Sequence, residues 1–224
     1  KTVVTTELIR EIARENHVEM HGCYAGFKWI AREIRINEGK KQYIGGGEES
    51  YGFMAEDFVR DKDAVSACSL LAEICAWAKD QGKTLFDILM DIYVEYGFSL
   101  NNTINVVKPG KSGADEIKAM MTKFRTEGIK EIAGSKVVCT KDYANLTATD
   151  AEGNKTKLDF PEPSNVLQWF TEDGIKVSVR PSGTEPKIKF YIEVMGKMGC
   201  PKCYESARAE AAEKVEAVKK SLGL

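Results

Sequence analysis

Residues 175–194 read IKVSVRPSGTEPKIKFYIEV, and this stretch decides the fold of the C-terminal half of the chain. Apolar and polar residues alternate on both sides of a segment rich in proline, glycine and hydroxyl residues. A period of two predicts β-strands with one buried face, here over 175–179 and 187–194. Because the connection between them is short, we expect the two strands to pair as antiparallel neighbours.

The same reasoning extends this antiparallel arrangement through the C-terminal half. Further elements are predicted as strands at 100–107, 136–143 and 166–170, a polar loop region at 145–163, and helices that start at Ser112 and cover 204–221. We therefore expect residues 99–224 to form a small antiparallel sheet backed by two helices.

The N-terminal half alternates short apolar runs with helical patterns. The predicted elements are strands at 2–4, 18–20 and 42–44, and helices that begin after Thr5 or Thr6, at 27–36, at 62–80 and at Thr84. The helix over 62–80 is apolar nearly all round and is expected to be buried. This alternation favours a parallel sheet with both faces covered, so residues 1–98 are expected to form a three-layer α/β domain.

Composition excludes several function classes. The chain has 224 residues, 43% apolar and 29% charged, with a formal net charge of −2. This balance suits two globular domains and gives no basic field for a nucleic acid. No run reaches the roughly 18 apolar residues of a membrane span, so no membrane partner is expected.

The first residues and the cysteines suggest the setting of the protein. The sequence starts at Lys1 without a signal-peptide pattern and opens on a predicted strand, which suggests a piece of a longer chain. Six cysteines in a chain of this size are expected to be reduced thiols of a cytoplasmic protein. Cys200 and Cys203 form a C-x-x-C pair, for which a redox site, half of a zinc site and a loop with incidental thiols are the alternatives.

The loop between the two best-defined strands has the composition of a phosphate site. Arg180 supplies a forked guanidinium, Ser182 and Thr184 supply hydroxyl donors, and Gly183 leaves the backbone open to close approach. Lys189 lies on the polar face of the following strand and adds positive charge. The same residue types also form ordinary hairpin turns, and composition alone does not separate the two interpretations.

A second polar loop follows a glycine run. Residues 44–52 read IGGGEESYG, with Glu48 and Ser50 after the predicted strand. Ligands of parallel α/β sheets bind beyond the carboxyl ends of strands, and carboxylates accept hydrogen bonds from sugar hydroxyls. A general acid and base pair, a metal site and a flexible polar loop are the alternatives.

Taken together, these segments resemble the α-D-phosphohexomutase family, and the resemblance covers nearly the whole chain. Residues 47–52 look like its sugar-recognition loop and residues 180–187 like its C-terminal phosphate-binding loop. Residues 57–64 are similar to the segment after the sugar loop in bacterial phosphoglucomutases and related phosphopentomutases, and residues 163–167 also fit the family pattern. Residues 26–30 resemble a substrate-facing loop, although Ala25 stands where the family usually has threonine.

The resemblance implies a fold, an activity and a division of labour. Residues 1–98 would be a partial third domain and residues 99–224 the fourth domain of a four-domain enzyme. That enzyme interconverts glucose 1-phosphate and glucose 6-phosphate through an enzyme phosphoserine and glucose 1,6-bisphosphate. The site residues implied here are Glu48, Ser50, Gly26 and Lys28 for the sugar, and Arg180, Ser182, Gly183, Thr184 and Lys189 for the phosphate.

The chain lacks the family's catalytic serine segment and its aspartate-rich magnesium loop. Mg²⁺ would therefore be bound by N-terminal domains of the same parent chain, and this part alone is expected to be inactive. The alternatives are a phosphomannomutase, a phosphopentomutase, or a phosphosugar-binding module without catalysis.

Overall fold

The computed structural model describes residues 1–49, 51–183 and 185–224, and for Lys111 the backbone only. The chain divides into two compact units, one of residues 1–97 with 198–202 and one of residues 98–197 with 203–224. No helix in the described part of the chain is long and apolar enough to span a membrane.

The first unit is mainly helical. Its elements are α1 (Leu8–Glu15), α2 (Phe27–Asn37), β1 (Gly45–Glu48), β2 (Gly52–Ala55), α3 (Ala64–Asp80) and α4 (Leu85–Tyr96). A small core forms where α2 packs on the β1–β2 hairpin, with Phe27, Ile30, Ile34, Cys23 and Met54 all buried. Burial of these apolar side chains removes them from water and is the main force that fixes this hairpin.

Several predicted elements of this unit differ in the structure. The strand expected at 2–4 is reduced to one parallel bridge between Thr2 and Cys23, and no strand lies at 18–20. The third strand starts at Gly45 rather than covering 42–44, and it pairs with β2 as an antiparallel hairpin. The glycine run was interpreted as a loop after a strand, but it is itself the strand.

Helix α3 is in the predicted place but not in the predicted environment. Of its seventeen residues only Ala78 is buried, and Val65, Leu71 and Trp77 are exposed. The expectation of burial is therefore wrong for this helix. Its packing partners within unit 1 are β2 and α4, which cover too little of a surface that is apolar on all sides.

The second unit is an antiparallel sheet with two helices. Its elements are β3 (Phe98–Val107), α5 (Gly110–Glu127), β4 (Glu131–Ile132), β5 (Ser135–Asp142), β6 (Thr147–Asp150), β7 (Lys155–Lys157), β8 (Leu167–Thr171), β9 (Ile175–Pro181), β10 (Lys187–Gly196) and α6 (Tyr204–Leu222). The strand order is β3-β10-β9-β8-β5-β6-β7, with β4 paired to β5. Strands β6 and β7 lie inside 145–163, so the prediction of a loop there is wrong.

The alternation that predicted β9 and β10 has the expected effect. Ile188, Phe190 and Val179 are fully buried on one face, against α5, where the ring of Phe124 contacts Trp169 and Phe190 edge-on. The residues between them lie on the other face of the sheet. This register brings Arg180 directly opposite Lys189.

Candidate functional site

The predicted sugar loop is the tip of the β1–β2 hairpin. Glu48 pairs with Gly52 at the end of the ladder, so the loop between them consists of residues 49–51. The strand that leads to this loop requires glycine at positions 46 and 47, because a side chain there would be too close to neighbouring atoms. A Cβ on Gly46 would come within 2.5 Å of the Tyr43 hydroxyl, and one on Gly47 within 3.1 Å of the Gly52 carbonyl oxygen.

Glu48, at the base of this loop, has a side chain whose orientation is held by two contacts. Its side chain is 6% exposed, its Oε2 accepts a hydrogen bond from the Gly26 amide at 2.9 Å, and its Oε1 pairs with Lys62 Nζ at 3.0 Å. A carboxylate has about four acceptor positions, so two remain for hydroxyl groups of a ligand. The structure thus brings together two of the predicted sugar-binding residues, Gly26 and Glu48.

Gly26 holds this position because of its backbone. Its φ of +115° lies in the region that only glycine adopts readily, and it caps the N-terminus of α2. Lys28, which was predicted to approach the same sugar, is exposed and its Nζ lies 5.0 Å from the centre of the Trp29 ring. No hydrogen bond among the described residues links Lys28 to Glu48. Ser50, the remaining predicted sugar ligand, lies outside the described residues.

Lys62 is a site residue that sequence reasoning missed. Its neighbour Asp63 caps α3 by accepting hydrogen bonds from the Val65 and Ser66 amides. Lys62 itself turns toward Glu48. Gly52 leaves room for it, since a Cβ there would lie 3.0 Å from Glu48 Cγ and 3.1 Å from Lys62 Cδ. A lysine fourteen residues from its partner leaves no periodic signal in a sequence.

The predicted phosphate loop joins β9 to β10. Its ends are closed by a hydrogen bond from the Ser182 amide to the Lys187 carbonyl oxygen at 2.8 Å. The Ser182 hydroxyl accepts from the Glu185 amide at 3.2 Å. Glu185 pairs with Lys187, and this hydrogen-bonded ion pair lowers the pKa of the Glu185 carboxyl below its ordinary value, with a smaller contribution from Lys189.

Two cations face each other where this loop begins. Arg180 on β9 and Lys189 on β10 are direct cross-strand partners, and Asn105 on β3 is the partner of Lys189 on its other side. Within the residues that the structure describes, no carboxylate lies at ion-pair distance from Arg180 or Lys189. Like charges directly opposite each other on a sheet repel, so a bound anion would stabilise this pair.

A cavity of about 430 Å³ lies beside the loop in unit 2. It is lined by Ser182 and Lys187 from the loop, by Lys118 and Arg125 from α5, and by Asn165. Arg125 is oriented by hydrogen bonds to Asp142 at 3.2 Å and to Asn165 at 2.7 Å. Arg180 is not among the described residues that line this cavity. The predicted phosphate ligands therefore fall into two groups: Arg180 lies opposite Lys189 in the sheet, whereas Ser182 lines the cavity together with Lys187.

The tip of the loop is open. Gly183 is exposed, and a Cβ built on it would meet no atom within 4 Å, so its backbone is accessible. Thr184, the second predicted hydroxyl, lies outside the described residues.

Two other groups of residues bear on cofactors and redox state. The described residues contain no group of three or more His, Cys, Asp or Glu that could hold a metal ion. Cys200 and Cys203 are disulfide-bonded, and the expectation of reduced thiols is wrong for these two. The remaining four cysteines are free thiols, and burial raises the pKa of Cys23 to about 11.

Comparison with known proteins gives consistent matches along the chain. Residues 1–96 match the family described as phosphoglucomutase/phosphomannomutase, alpha/beta/alpha domain III, and residues 116–197 match its C-terminal domain. Phosphoglucomutases of Staphylococcus aureus (strain bovine RF122 / ET3-1) and Staphylococcus haemolyticus are 39% and 36% identical over 194 residues. These matches cover 87% of this chain and 35% of each relative, so the chain spans about a third of their length.

A solved structure shows the same fold. It is the open form of the exocytosis-sensitive phosphoprotein pp63/parafusin, a phosphoglucomutase from Paramecium. The TM-score is 0.64 at 19% identity, over 99% of this chain and 37% of that one. The predicted mixed α/β fold class and the predicted family are both confirmed by these matches.

Proposed function

Because the chain belongs to the phosphoglucomutase/phosphomannomutase family, we propose that it is the substrate-binding C-terminal part of a phosphoglucomutase. The whole enzyme would interconvert glucose 1-phosphate and glucose 6-phosphate in the cytoplasm. The observation that carries the phosphate assignment is the cross-strand pair of Arg180 and Lys189, which has no carboxylate at ion-pair distance among the described residues. A phosphate dianion supplies the missing negative charge and suits the guanidinium fork.

Each unit would contribute a different part of substrate recognition. In unit 1, Glu48 would accept hydrogen bonds from sugar hydroxyls, with Gly26 and Lys62 holding its carboxylate in place. Ser50 and Lys28 complete the proposed sugar set. In unit 2, Arg180 and Lys189 would hold the phosphate that is not being transferred, together with Ser182, the Gly183 backbone and Thr184.

The chemistry itself would reside elsewhere in the parent protein. Phosphoryl transfer needs an activated nucleophile and stabilisation of charge on the transferred group. In the proposed enzyme a serine and a bound Mg²⁺ in N-terminal domains supply these, with glucose 1,6-bisphosphate as intermediate. The residues of this chain bind and orient the substrate, which by itself contributes to the rate by positioning the reacting groups.

The apolar surface of α3 and α4 supports a missing partner within the same parent. Along these helices Val65, Leu71, Trp77 and Val94 are exposed. An α/β/α domain buries such helices against its central sheet, whereas the described part of unit 1 holds one bridge and one hairpin. We propose that upstream residues of the parent chain cover this surface, in keeping with the threefold greater length of the relatives.

Calorimetric titration with glucose 1,6-bisphosphate tests the phosphate assignment. We expect weak binding by the 224-residue chain, and Arg180→Ala should reduce the affinity about tenfold or more, since charged hydrogen bonds contribute about 1.5–3 kcal/mol. Arg208→Ala is the matched control, because Arg208 lies in the same unit and its side chain is exposed on α6. Equal affinities for the two variants would contradict the assignment.

An activity assay separates the enzyme from its alternatives. We expect no mutase turnover by the purified chain, because the described residues hold no metal site and the sequence lacks a matching serine segment. Full-length parent protein should convert glucose phosphates faster than mannose or pentose phosphates. Faster conversion of mannose or pentose phosphates would favour those mutases, and an inactive full-length protein that still binds would favour a binding module.

A further inference from the structure

Tyr51 occupies a backbone conformation that does not suit its side chain. It is the last residue of the three-residue loop between Glu48 and Gly52, and its φ is +56°. In three-residue hairpin loops this position is left-handed and is usually glycine, because a Cβ there crowds the backbone. A tyrosine at this point therefore makes the loop less stable than a glycine would.

No hydrogen bond or ring contact with the described residues compensates for this strain. The Tyr51 side chain has a relative exposure of 103%, which means that it is as open to water as in an extended peptide. No hydrogen bond or ring contact joins it to any described residue. The nearby Phe53 differs, because its ring lies across the backbone of Gly45 and Gly47, where it fills the space that the glycines leave.

The residues near Tyr51 in the sequence indicate which kind of ligand its ring contacts. The Glu48 carboxylate, three residues earlier, is held in a fixed orientation with two acceptor positions left over. A pyranose sugar has hydroxyl groups around its edge and C–H groups on its faces. Aromatic rings favour such apolar faces, and a fixed carboxylate favours the hydroxyl edge.

We propose that Tyr51 is a substrate-contacting residue whose ring stacks on the C–H face of a pyranose while Glu48 binds its hydroxyls. This inference rests on the proposed function, and it names the substrate class of the same loop as a hexopyranose phosphate. In an α-glucopyranoside the only axial substituent is the oxygen at C1, so the opposite face presents uninterrupted C–H groups, whereas the axial C2 hydroxyl of mannopyranose interrupts that face. A furanose ring offers a smaller face, so the contact favours hexoses over pentoses.

The test is proton NMR of the 224-residue chain titrated with methyl α-D-glucopyranoside and with glucose 1,6-bisphosphate. A stacked ring shifts the C–H protons of the sugar upfield, an effect that a merely structural residue does not produce. Tyr51→Phe should keep the upfield shift and the affinity. Tyr51→Gly and Tyr51→Asn, which both suit the left-handed backbone, should abolish the shift and weaken binding about threefold to tenfold.

The outcomes separate this inference from the proposed function. If the wild-type chain binds the bisphosphate without an upfield shift, and Tyr51→Gly binds equally well, the stacking role is overturned while the proposed function stands. If the wild-type chain binds neither probe, the proposed function fails and the stacking role falls with it. A shift that also appears in Tyr51→Gly assigns the ring current to another aromatic residue and overturns the proposal.

Discussion

Gly26 links the shape of the backbone to the orientation of the candidate sugar-binding carboxylate. Its amide donates to Glu48, and its φ is +115°, where a residue with a Cβ is strained. Around the Gly26 Cα there is otherwise space, since a Cβ would lie 3.8 Å from Trp29 Cδ1. The requirement for glycine is therefore conformational rather than steric.

Replacement of this glycine should cost stability and displace Glu48. We expect Gly26→Ala to lower the free energy of unfolding by about 1–3 kcal/mol, measured by urea denaturation. Gly22→Ala is the control, because a Cβ there meets nothing within 4 Å and its φ is not positive. If both variants unfold at the same urea concentration, the strain argument for Gly26 is wrong.

A buried ion pair crosses the sheet of unit 2 at Lys176 and Glu193. The two side chains are 3% and 2% exposed and lie 2.8 Å apart, and Glu193 also accepts a hydrogen bond from Ser99. Removing one member leaves an uncompensated charge, so Lys176→Met should destabilise the chain by about 3–5 kcal/mol. The exposed Lys197→Met serves as control in the same denaturation experiment. The double variant Lys176→Met with Glu193→Leu should recover part of the loss, and a double variant less stable than Lys176→Met would contradict this account.

Helix α4 begins with a capping box formed by Thr84 and Asp87. The Thr84 hydroxyl accepts from the Asp87 amide at 3.2 Å, and the Asp87 carboxylate accepts from the Thr84 amide at 2.7 Å. Hydrogen bonds from the Thr84 side chain, and then from its backbone, lower the pKa of the Asp87 carboxyl. Because the folded pKa is depressed, the box stabilises the helix above the ordinary carboxyl pKa, and this contribution is lost as pH falls through the folded pKa.

A pH series of thermal unfolding checks this element. Thr84→Ala should cost about 0.5–2 kcal/mol near neutral pH. Asp87→Asn should also lower the melting temperature at neutral pH, and its difference from wild type should shrink in acid. Glu95→Gln, on the same helix and without a hydrogen-bond or ion-pair partner among the described residues, should show no such pH dependence. A difference that is constant between neutral and acid pH would argue against the carboxylate.

The elements that were predicted correctly are those whose sequence pattern follows from burial of one face. Strands β9 and β10 alternate because the sheet has one apolar face, and α4 carries its start and stop signals in its own residues. The glycine run of β1 has no side chains and therefore no pattern, so its pairing with β2 was not predictable. Helix α3 has a clear apolar pattern, but its burial was predicted wrongly. An apolar sequence indicates that a helix surface favours packing against another element, but it does not indicate whether that element belongs to the same stretch of chain.

The candidate sites likewise contain residues that the sequence indicated and contacts that only the folded structure showed. Glu48 and Arg180 stood out because their residue types suit hydroxyl and phosphate groups within short loops. The pairing of Arg180 with Lys189 depends on the register between two strands, and the contact of Lys62 with Glu48 depends on tertiary packing. Neither leaves a local signal, so these partners became visible only in the folded chain.

At the scale of the whole molecule, the exposed apolar surface of helices α3 and α4 in unit 1 is the main feature that opposes stability and has no explanation within the described residues. Apolar surface exposed to water opposes stability by roughly 25 cal/mol per Å², and large exposed patches mark interaction sites. Trp77 lies on this surface with 53% exposure, while Trp169 in unit 2 is fully buried. The third tryptophan, Trp29, is partly buried in unit 1, so the response of Trp77 is isolated by comparison with a Trp77→Phe variant that keeps the other two.

Fluorescence quenching by acrylamide can test whether upstream residues cover α3. Adding the part of the Staphylococcus haemolyticus phosphoglucomutase that precedes the matched region should protect Trp77 and shift its emission to shorter wavelength, because the ring leaves water. The Trp77→Phe variant should lose this response while Trp169 still reports an intact unit 2. Albumin at the same concentration controls for non-specific contact. If Trp77 stays equally quenchable with the upstream part present, or if albumin protects it as well, α3 has another partner and the proposed cover is wrong.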